Sequence, residues 1–241
     1  MERFTGLLGI VLILGVSFLM SNNRKAINYR TVGVGLLLQV GLAVFILKTE
    51  TGQATFQWLG DSINTLLGQA DKGAQFVFGS LVDRKLMSQA FGSGNDYIFF
   101  FKVVPTIIFV AVLVNMFYHL GVLQRVVSTM GKGVHWLMGV SGAEALSNVA
   151  STFVGQVEAQ IMIKPYLKNM TNSELMASMT GSFACIAGGV MAVYISLGVP
   201  AAYLLAASLM AAPGALVISK IMFPETEKSE TQGMVKMDII K

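Results

Sequence analysis

Of 241 residues, 54% are hydrophobic and only 12% are charged, with a mean hydropathy of +0.66. Soluble domains carry roughly 25% charged residues, so the composition excludes an ordinary soluble domain and points to a membrane protein. The net charge of +4 contains no basic run longer than Arg24-Lys25, which is loop bias and not a nucleic-acid footprint. The single Cys185 excludes an internal disulfide framework.

The first apolar stretch, Phe4 to Met20, runs into Asn22-Asn23-Arg24-Lys25. A signal peptide carries its positive charge before the apolar run, and this order is reversed, so the stretch reads as a retained transmembrane helix. Thr31–Leu47 is the second span and Tyr97–Tyr118 the third. The third carries Lys102 near its start, where the side chain is placed to snorkel, and Pro105 bends the same end. Between them, Gln53 to Gly79 puts Phe56, Leu59, Ile63, Leu66, Leu67 and Ala70 on one helical stripe. That pattern suits an amphipathic helix lying on the membrane surface, or one packed on other protein. Arg84 to Asn95, with Gly92-Ser93-Gly94-Asn95, reads as a loop. The fourth span, Glu174–Leu197, opens with the capping-box pattern Thr171-x-x-Glu174. Gly198-Val199-Pro200 separates it from the fifth, Ala201–Phe223, and the tail from Pro224 to Lys241 is charged and soluble in character.

The segment Gly142 to Leu167 differs from all of these. It is apolar enough for a membrane, yet Gly155-Gln156-Val157-Glu158 lies at its middle. Each flank is about a dozen residues, ~18–20 Å as helix, against the ~30 Å of the hydrocarbon. Neither arm spans alone, but the two together form a re-entrant hairpin that carries Gln156 and Glu158 to its tip. An ionisable group at that depth is costly and marks a site. Half-helices meeting at Gly155 expose backbone carbonyls and amides, the kind of broken element that supplies ion and substrate sites in secondary transporters. Ser147, Asn148, Ser151 and Thr152 on the first arm are further polar candidates. The alternative is one full apolar span with a neutral, structural Glu158.

Lys and Arg in short loops set the orientation. Arg24, Lys25 and Arg30 put the first loop in the cytoplasm and the amino terminus outside; re-entry also keeps Lys164 and Lys168 inside. Glu144, at the hairpin's cytoplasmic start, reads most simply as a solvated or capping group, with Glu144 and Asn148 as candidates for polar support. Gly181 and Gly188 read as close helix packing, and Cys185-Ile186 as a point where local unwinding would expose carbonyls. His119 and His135 lack partners at metal-ligand spacing and read as interfacial. No nucleophile motif, P-loop or dinucleotide fingerprint is present, so nothing indicates an enzyme.

A set of ordered motifs carries a family resemblance: Phe76-Val-Phe-Gly-Ser-Leu81, Tyr118-His-Leu-Gly121, Gly139-Val-Ser-Gly-Ala-Glu-Ala-Leu146, Phe153-Val-Gly-Gln-Val-Glu-Ala159, Lys164-Pro-Tyr-Leu167, Met170-Thr-Asn-Ser-Glu-Leu175, Ala211-Ala-Pro-Gly214 and Phe223-Pro-Glu-Thr-Glu227. Together they resemble the amino-terminal half of a bacterial concentrative nucleoside transporter. The resemblance implies an all-α integral membrane protein with about five transmembrane helices, one amphipathic interfacial helix and one re-entrant helical hairpin. It also implies a homotrimeric, inner-membrane symporter importing nucleosides by an elevator mechanism. The expected segments are 1–50, two scaffold helices; 51–96, interfacial helix and loop; 97–140, third span and cytoplasmic connecting helix; 141–223, hairpin and two helices of the transport domain; and 224–241, a polar tail.

By position, the resemblance assigns Gly155, Gln156, Val157 and Glu158 to the substrate, and Ser151, Val154, Cys185 and Ile186 to ion coupling. The family often has Thr or Ser where Val157 stands. Its sodium-coupled members have Asn in place of Ser151 and Ser or Thr in place of Cys185. Hard cations take oxygen ligands, so these changes favour a proton over a sodium ion as the coupling species; no other cofactor is expected. Family members are about twice as long, which implies a fragment or a truncated reading frame lacking the second hairpin. The other reading is a membrane-embedded structural or assembly subunit.

Overall fold

The structure, a computed structural model, describes residues 2–92, 97–231 and 233. Among the described residues every regular element is helical. Helix α1 is Glu2–Leu19 and α2 is Tyr29–Lys48. The Arg24 guanidinium between them donates to the carbonyls of Phe18 (3.2 Å) and Leu19 (2.8 Å), satisfying acceptors that a helix end leaves open. Then follow α3 (Glu50–Phe78), α4 (Arg84–Phe91), α5 (Phe99–His119), α6 (Val122–Met138), α7 (Gly142–Phe153), α8 (Gln156–Ile163), α9 (Asn172–Ala184), α10 (Gly188–Ser196) and α11 (Ala201–Met222). Among the described residues four stretches are long and apolar enough to cross a membrane: α2, α5, the interrupted Asn172–Ser196 and α11; α1 adds the shorter apolar run Leu8–Leu19. The chain is a multi-pass membrane protein.

Two compact units emerge. One comprises residues 1–44, 123–186 and 208–241, and the other 45–122 and 187–207; the five segments expected from sequence do not follow this division. In the second unit, α3 begins at Thr49, whose hydroxyl accepts from the Gly52 amide at 3.0 Å. Its buried positions are Gly52, Gly60, Ala70 and Ala74; Gly52 lies against the Phe45 carbonyl and Gly60 against Ala201 and Ala202, while towards its end Phe78 meets Phe101 of α5 with ring centroids 4.9 Å apart. Its small-residue positions are buried in protein, while Leu59 and Leu66 of the apolar stripe stay exposed (37% and 44%), so the helix packs on protein and keeps an apolar face outward. Lys102 pairs with Asp71 of α3 at 2.8 Å. The expected loop after Arg84 is helical as far as Phe91. The Asp83 carboxylate caps the amides of Lys85 (2.9 Å) and Leu86 (3.4 Å), and Met87 is buried beneath. Ser93, Gly94 and Asn95 lie outside the described residues.

In the first unit the core joins Ile27, Met138, Val140, Ala145, Ala177 and Leu216. The first turns of α7 and α9 lie side by side and share a polar knot. Both carry capping boxes, Ser141 with Glu144 and Thr171 with Glu174. Glu144 is only 1% exposed: it caps its helix as expected but is not solvated, because the Lys220 ammonium lies 2.6 Å away. Lys220 also donates to Ser173 Oγ at 2.9 Å and stands 3.7 Å from Glu225. The tail was expected to be solvated from Pro224, but it folds back as far as residue 231. Ser229 Oγ donates to Glu174 at 2.5 Å and Thr231 Oγ1 to the same carboxylate, while the Gly142 amide donates to the Thr231 carbonyl at 3.0 Å. Lys236 and the remainder of the tail are not among the described residues.

Deeper along the same pair, α7 and α9 meet at Gly181. A Cβ built there would stand 2.1 Å from Asn148 Oδ1. Asn148 cannot swing aside freely, since its Nδ2 donates to the carbonyls of Glu144 (2.8 Å) and Ala177 (3.1 Å). Gly181 is therefore a packing position, as its spacing indicates.

Two stability outcomes follow. Lys220→Met leaves Glu144 buried without its counter-ion and lowers unfolding stability in detergent by ~3–5 kcal/mol; adding Glu144→Leu recovers much of the loss. Gly181→Ala gains helix propensity but overpacks the contact, for a net loss of ~1–3 kcal/mol, and Asn148→Ser in the same chain relieves part of it. Thermal melts of the four variants measure both, and an unchanged Lys220→Met would contradict the buried pair.

Candidate functional site

The apolar segment with the polar tetrad folds as a helical hairpin and not as one span. Arm α7 has 12 residues and α8 has 8, ~18 Å and ~12 Å of helix, and they pack on each other. The chain reverses at Val154-Gly155. Gly155 has φ 111° and ψ 171°, a backbone region open essentially to glycine alone. The reversal brings Gln156, Val157 and Glu158 to the exposed tip, with Val157 62% exposed, whereas Ala159 and Ile163 immediately below are fully buried.

The second irregular feature lies in the fourth span, where a single helix from Glu174 to Leu197 is the sequence expectation. The helix stops at Ala184, and Cys185 (φ −101°, ψ 151°) and Ala187 (φ −61°, ψ 143°) are extended before α10 begins. Extended residues cannot make the i→i−4 bonds that consume backbone groups in a helix. The unwinding at Cys185-Ile186 that the small-residue run allows is thus present. It lies beside the end of the first hairpin arm: Thr152 Oγ1 is 3.6 Å from Cys185 Sγ, and Ser151 Oγ is 3.4 Å from Ser182 Oγ. Ser151 and Val154 are buried, and Cys185 and Ile186 half-buried. The Ser151 hydroxyl donates to the Ser147 carbonyl at 2.8 Å, so it is engaged by its own helix.

Of the residues named from sequence, the structure gathers Gly155 to Glu158 at one tip and brings the 151–152 turn to the break at Cys185. Asn148 sits deeper, in the α7–α9 contact, and Glu144 belongs to the knot at the base. His135 is structural, its Nδ1 lying 2.5 Å from the Val140 carbonyl.

Sequence reasoning missed Gln160, Ser178 and Ser182. Gln160 points inward between helices, its Nε2 2.6 Å from Ser182 Oγ and 3.3 Å from Ser147 Oγ, while Ser178 Oγ donates to its Oε1 at 2.9 Å. Ser147 and Ser178 share a further bond of 2.6 Å. A signal was available, because Ser147/Ser151 and Ser178/Ser182 each repeat at i, i+4, the spacing that lines one helix face.

Residues 8–81 match the family model described as Na+ dependent nucleoside transporter N-terminus, and residues 100–201 match the one described as nucleoside recognition. An uncharacterized transporter of Haemophilus influenzae is 42% identical over 228 residues, covering 95% of this chain and 53% of its own length. Sodium/nucleoside cotransporter 1 of Rattus norvegicus is 40% identical over 229 residues, covering 95% of this chain and 34% of its own. Among solved structures, CNTnw in an inward-facing substrate-bound state superposes on all of this chain and 57% of its own, with 38% identity and a TM-score of 0.92. A variant of CNTnw in an outward-facing state gives 0.91. Two consecutive family models, relatives at about 40% identity and a matching fold agree, and the chain, which spans about half the length of its bacterial relative or less than that of the rat one, belongs to the concentrative nucleoside transporter family.

Proposed function

We propose that the chain forms the amino-terminal part of a secondary active transporter that imports nucleosides by symport with a cation. The observation that carries this reading is the exposed polar tip Gln156–Glu158, held on a buried hairpin beside a broken membrane helix. Such an arrangement leaves side chains and backbone groups free for a ligand at membrane depth. In this reading Gln156 and Glu158 make polar contacts to the nucleobase, the Gly155 backbone lies beside them, and Val157 offers only apolar contact. The part carrying the hairpin, residues 141–223, moves as an elevator within a homotrimer of the bacterial inner membrane. The amino terminus is outside, as the Arg24, Lys25 and Arg30 loop favours.

The coupling species in this proposal is a proton. Ser151 has its hydroxyl committed to the Ser147 carbonyl, and Cys185 offers a thiol where a hard cation requires oxygen. The carbonyls of Val154 and Ile186 are the remaining donors to such a site. The rat relative's name specifies sodium, so the coupling ion is a point at which this chain would diverge.

Uptake of labelled nucleoside tests the reading in cells expressing the chain together with any coding sequence that follows it in frame. Glu158→Gln removes one charged hydrogen bond, worth ~1.5–3 kcal/mol, and lowers uptake at least ~10-fold; full uptake by this variant would remove the carboxylate from the site. Imposed pH gradients drive uptake with sodium absent. Clear stimulation by sodium at constant pH would overturn proton coupling while leaving the transporter reading intact.

A further inference from the structure

Helix α8 carries the tip, and its sequence does not say which way it should face. Gln156-Val-Glu-Ala-Gln-Ile-Met-Ile163 has apolar residues all round: Ala159 and Ile163 are fully buried, yet Val157 and Ile161 are 62% and 47% exposed. In a membrane the surroundings are as apolar as the protein interior, so burying one aliphatic face in preference to another sets rotation only weakly. Gly155 provides no side-chain cap at the helix start either. What distinguishes the faces is Gln160. Its amide is saturated at both ends by three hydroxyls from two other helices, Ser147 of α7 and Ser178 and Ser182 of α9, at 2.6 to 3.3 Å. A primary amide deprived of partners in such surroundings is costly, so this single side chain selects one rotational setting.

We propose that Gln160 is a positioning residue that fixes the rotation of α8 and thereby the direction in which the tip is presented. At about 100° per residue, Glu158 lies ~200° around the helix from Gln160. Holding Gln160 against α9 therefore turns Glu158 to the opposite, exposed side. The three serines serve as the socket for this key: Ser178 and Ser182, one turn apart on α9, reach the two ends of the amide, and Ser147 of α7 reaches its nitrogen. The proposal rests on the reading of residues 155–158 as the substrate tip for its functional consequence, but not for its geometry.

The geometry is tested first by electron–electron double resonance on the whole chain in liposomes. Nitroxides are placed by Glu158→Cys and Arg125→Cys in a Cys185→Ser background. The parent gives one narrow distance, and Gln160→Leu shifts or broadens it by about 5 Å, since the Glu158 label rides on a helix ~10–12 Å across. Gln160→Glu, which keeps a polar group of the same shape, retains the parent distance. A second pair, at Arg125 and Asn169, reports the fold and stays unchanged. An unaltered tip distance in Gln160→Leu overturns the proposal. Where the second pair also broadens, the fold has been lost, and Ser178→Ala with Ser182→Ala takes its place: a shifted tip distance supports the proposal and an unchanged one overturns it. In uptake, Gln160→Leu raises KM for nucleoside ~10-fold with Vmax within ~2-fold, as misplacement of a binding group demands. A loss of Vmax at constant KM would count against positioning. Absence of uptake by the unsubstituted chain, expressed with any coding sequence that follows it in frame, defeats the nucleoside reading, and the distance measurement still decides the role of Gln160.

Discussion

In hydrocarbon a polar group has no water to bond, so every one that enters must find its partner within the protein. This requirement organises the hairpin unit more than any apolar contact does. Its apolar residues would be nearly as well accommodated by lipid as by each other. Its polar residues would not, and the helices meet where polar side chains are matched: hydroxyl to amide between α8 and α9, amide to carbonyl between α7 and α9, ammonium to carboxylate at the base.

The base shows the constraint at its strictest. Glu144 and Glu174 are both buried at the start of adjacent helices, and Lys220 sits within 4 Å of only the first. The second is held by neutral donors, among them the Thr171 amide and the hydroxyls of Ser141, Ser229 and Thr231. Carboxylates at helix N-termini also oppose the positive ends of the dipoles. The chain after α11 is thereby drawn into the fold, because two of the hydroxyls that satisfy Glu174 come from it. A segment charged enough to look solvated in sequence is instead a structural part of the unit.

The hairpin's two ends are treated oppositely. At the base and along the arms, most side-chain polar groups are bonded inside the protein, which makes a rigid support; Asn148 Oδ1, packed on Gly181, is an exception. At the tip, Gln156 and Glu158 are left exposed on a turn that only glycine can make. A binding constellation needs this combination: groups free to engage a ligand, carried on a shell whose own rotamers are locked. The extended residues at Cys185-Ile186, adjacent to the same turn, add backbone groups that regular helix would have consumed.

Much of this was legible in the chain. Apolar runs of spanning length located the membrane helices, and the capping boxes at Ser141 and Thr171 marked two helix starts. The mismatch between a dozen-residue arm and the hydrocarbon thickness announced the hairpin, because length and composition alone decide whether a helix crosses. Other features depended on which surfaces meet. Which positions of α3 are buried was decided by Phe45 against Gly52 and by Ala201 and Ala202 against Gly60. Glu144 became a buried pair only through Lys220, 76 positions away in sequence. The helix break at Cys185 and the inward turn of Gln160 required the neighbouring helices that supply Thr152, Ser147 and Ser182. Sequence by itself determined the spanning runs, the hairpin and which residues stand at its tip, since these follow from local length, polarity and backbone freedom. Tertiary structure decided which polar group satisfies which, and hence how the tip is aimed, because a hydrogen-bond partner in a membrane is a matter of position in space.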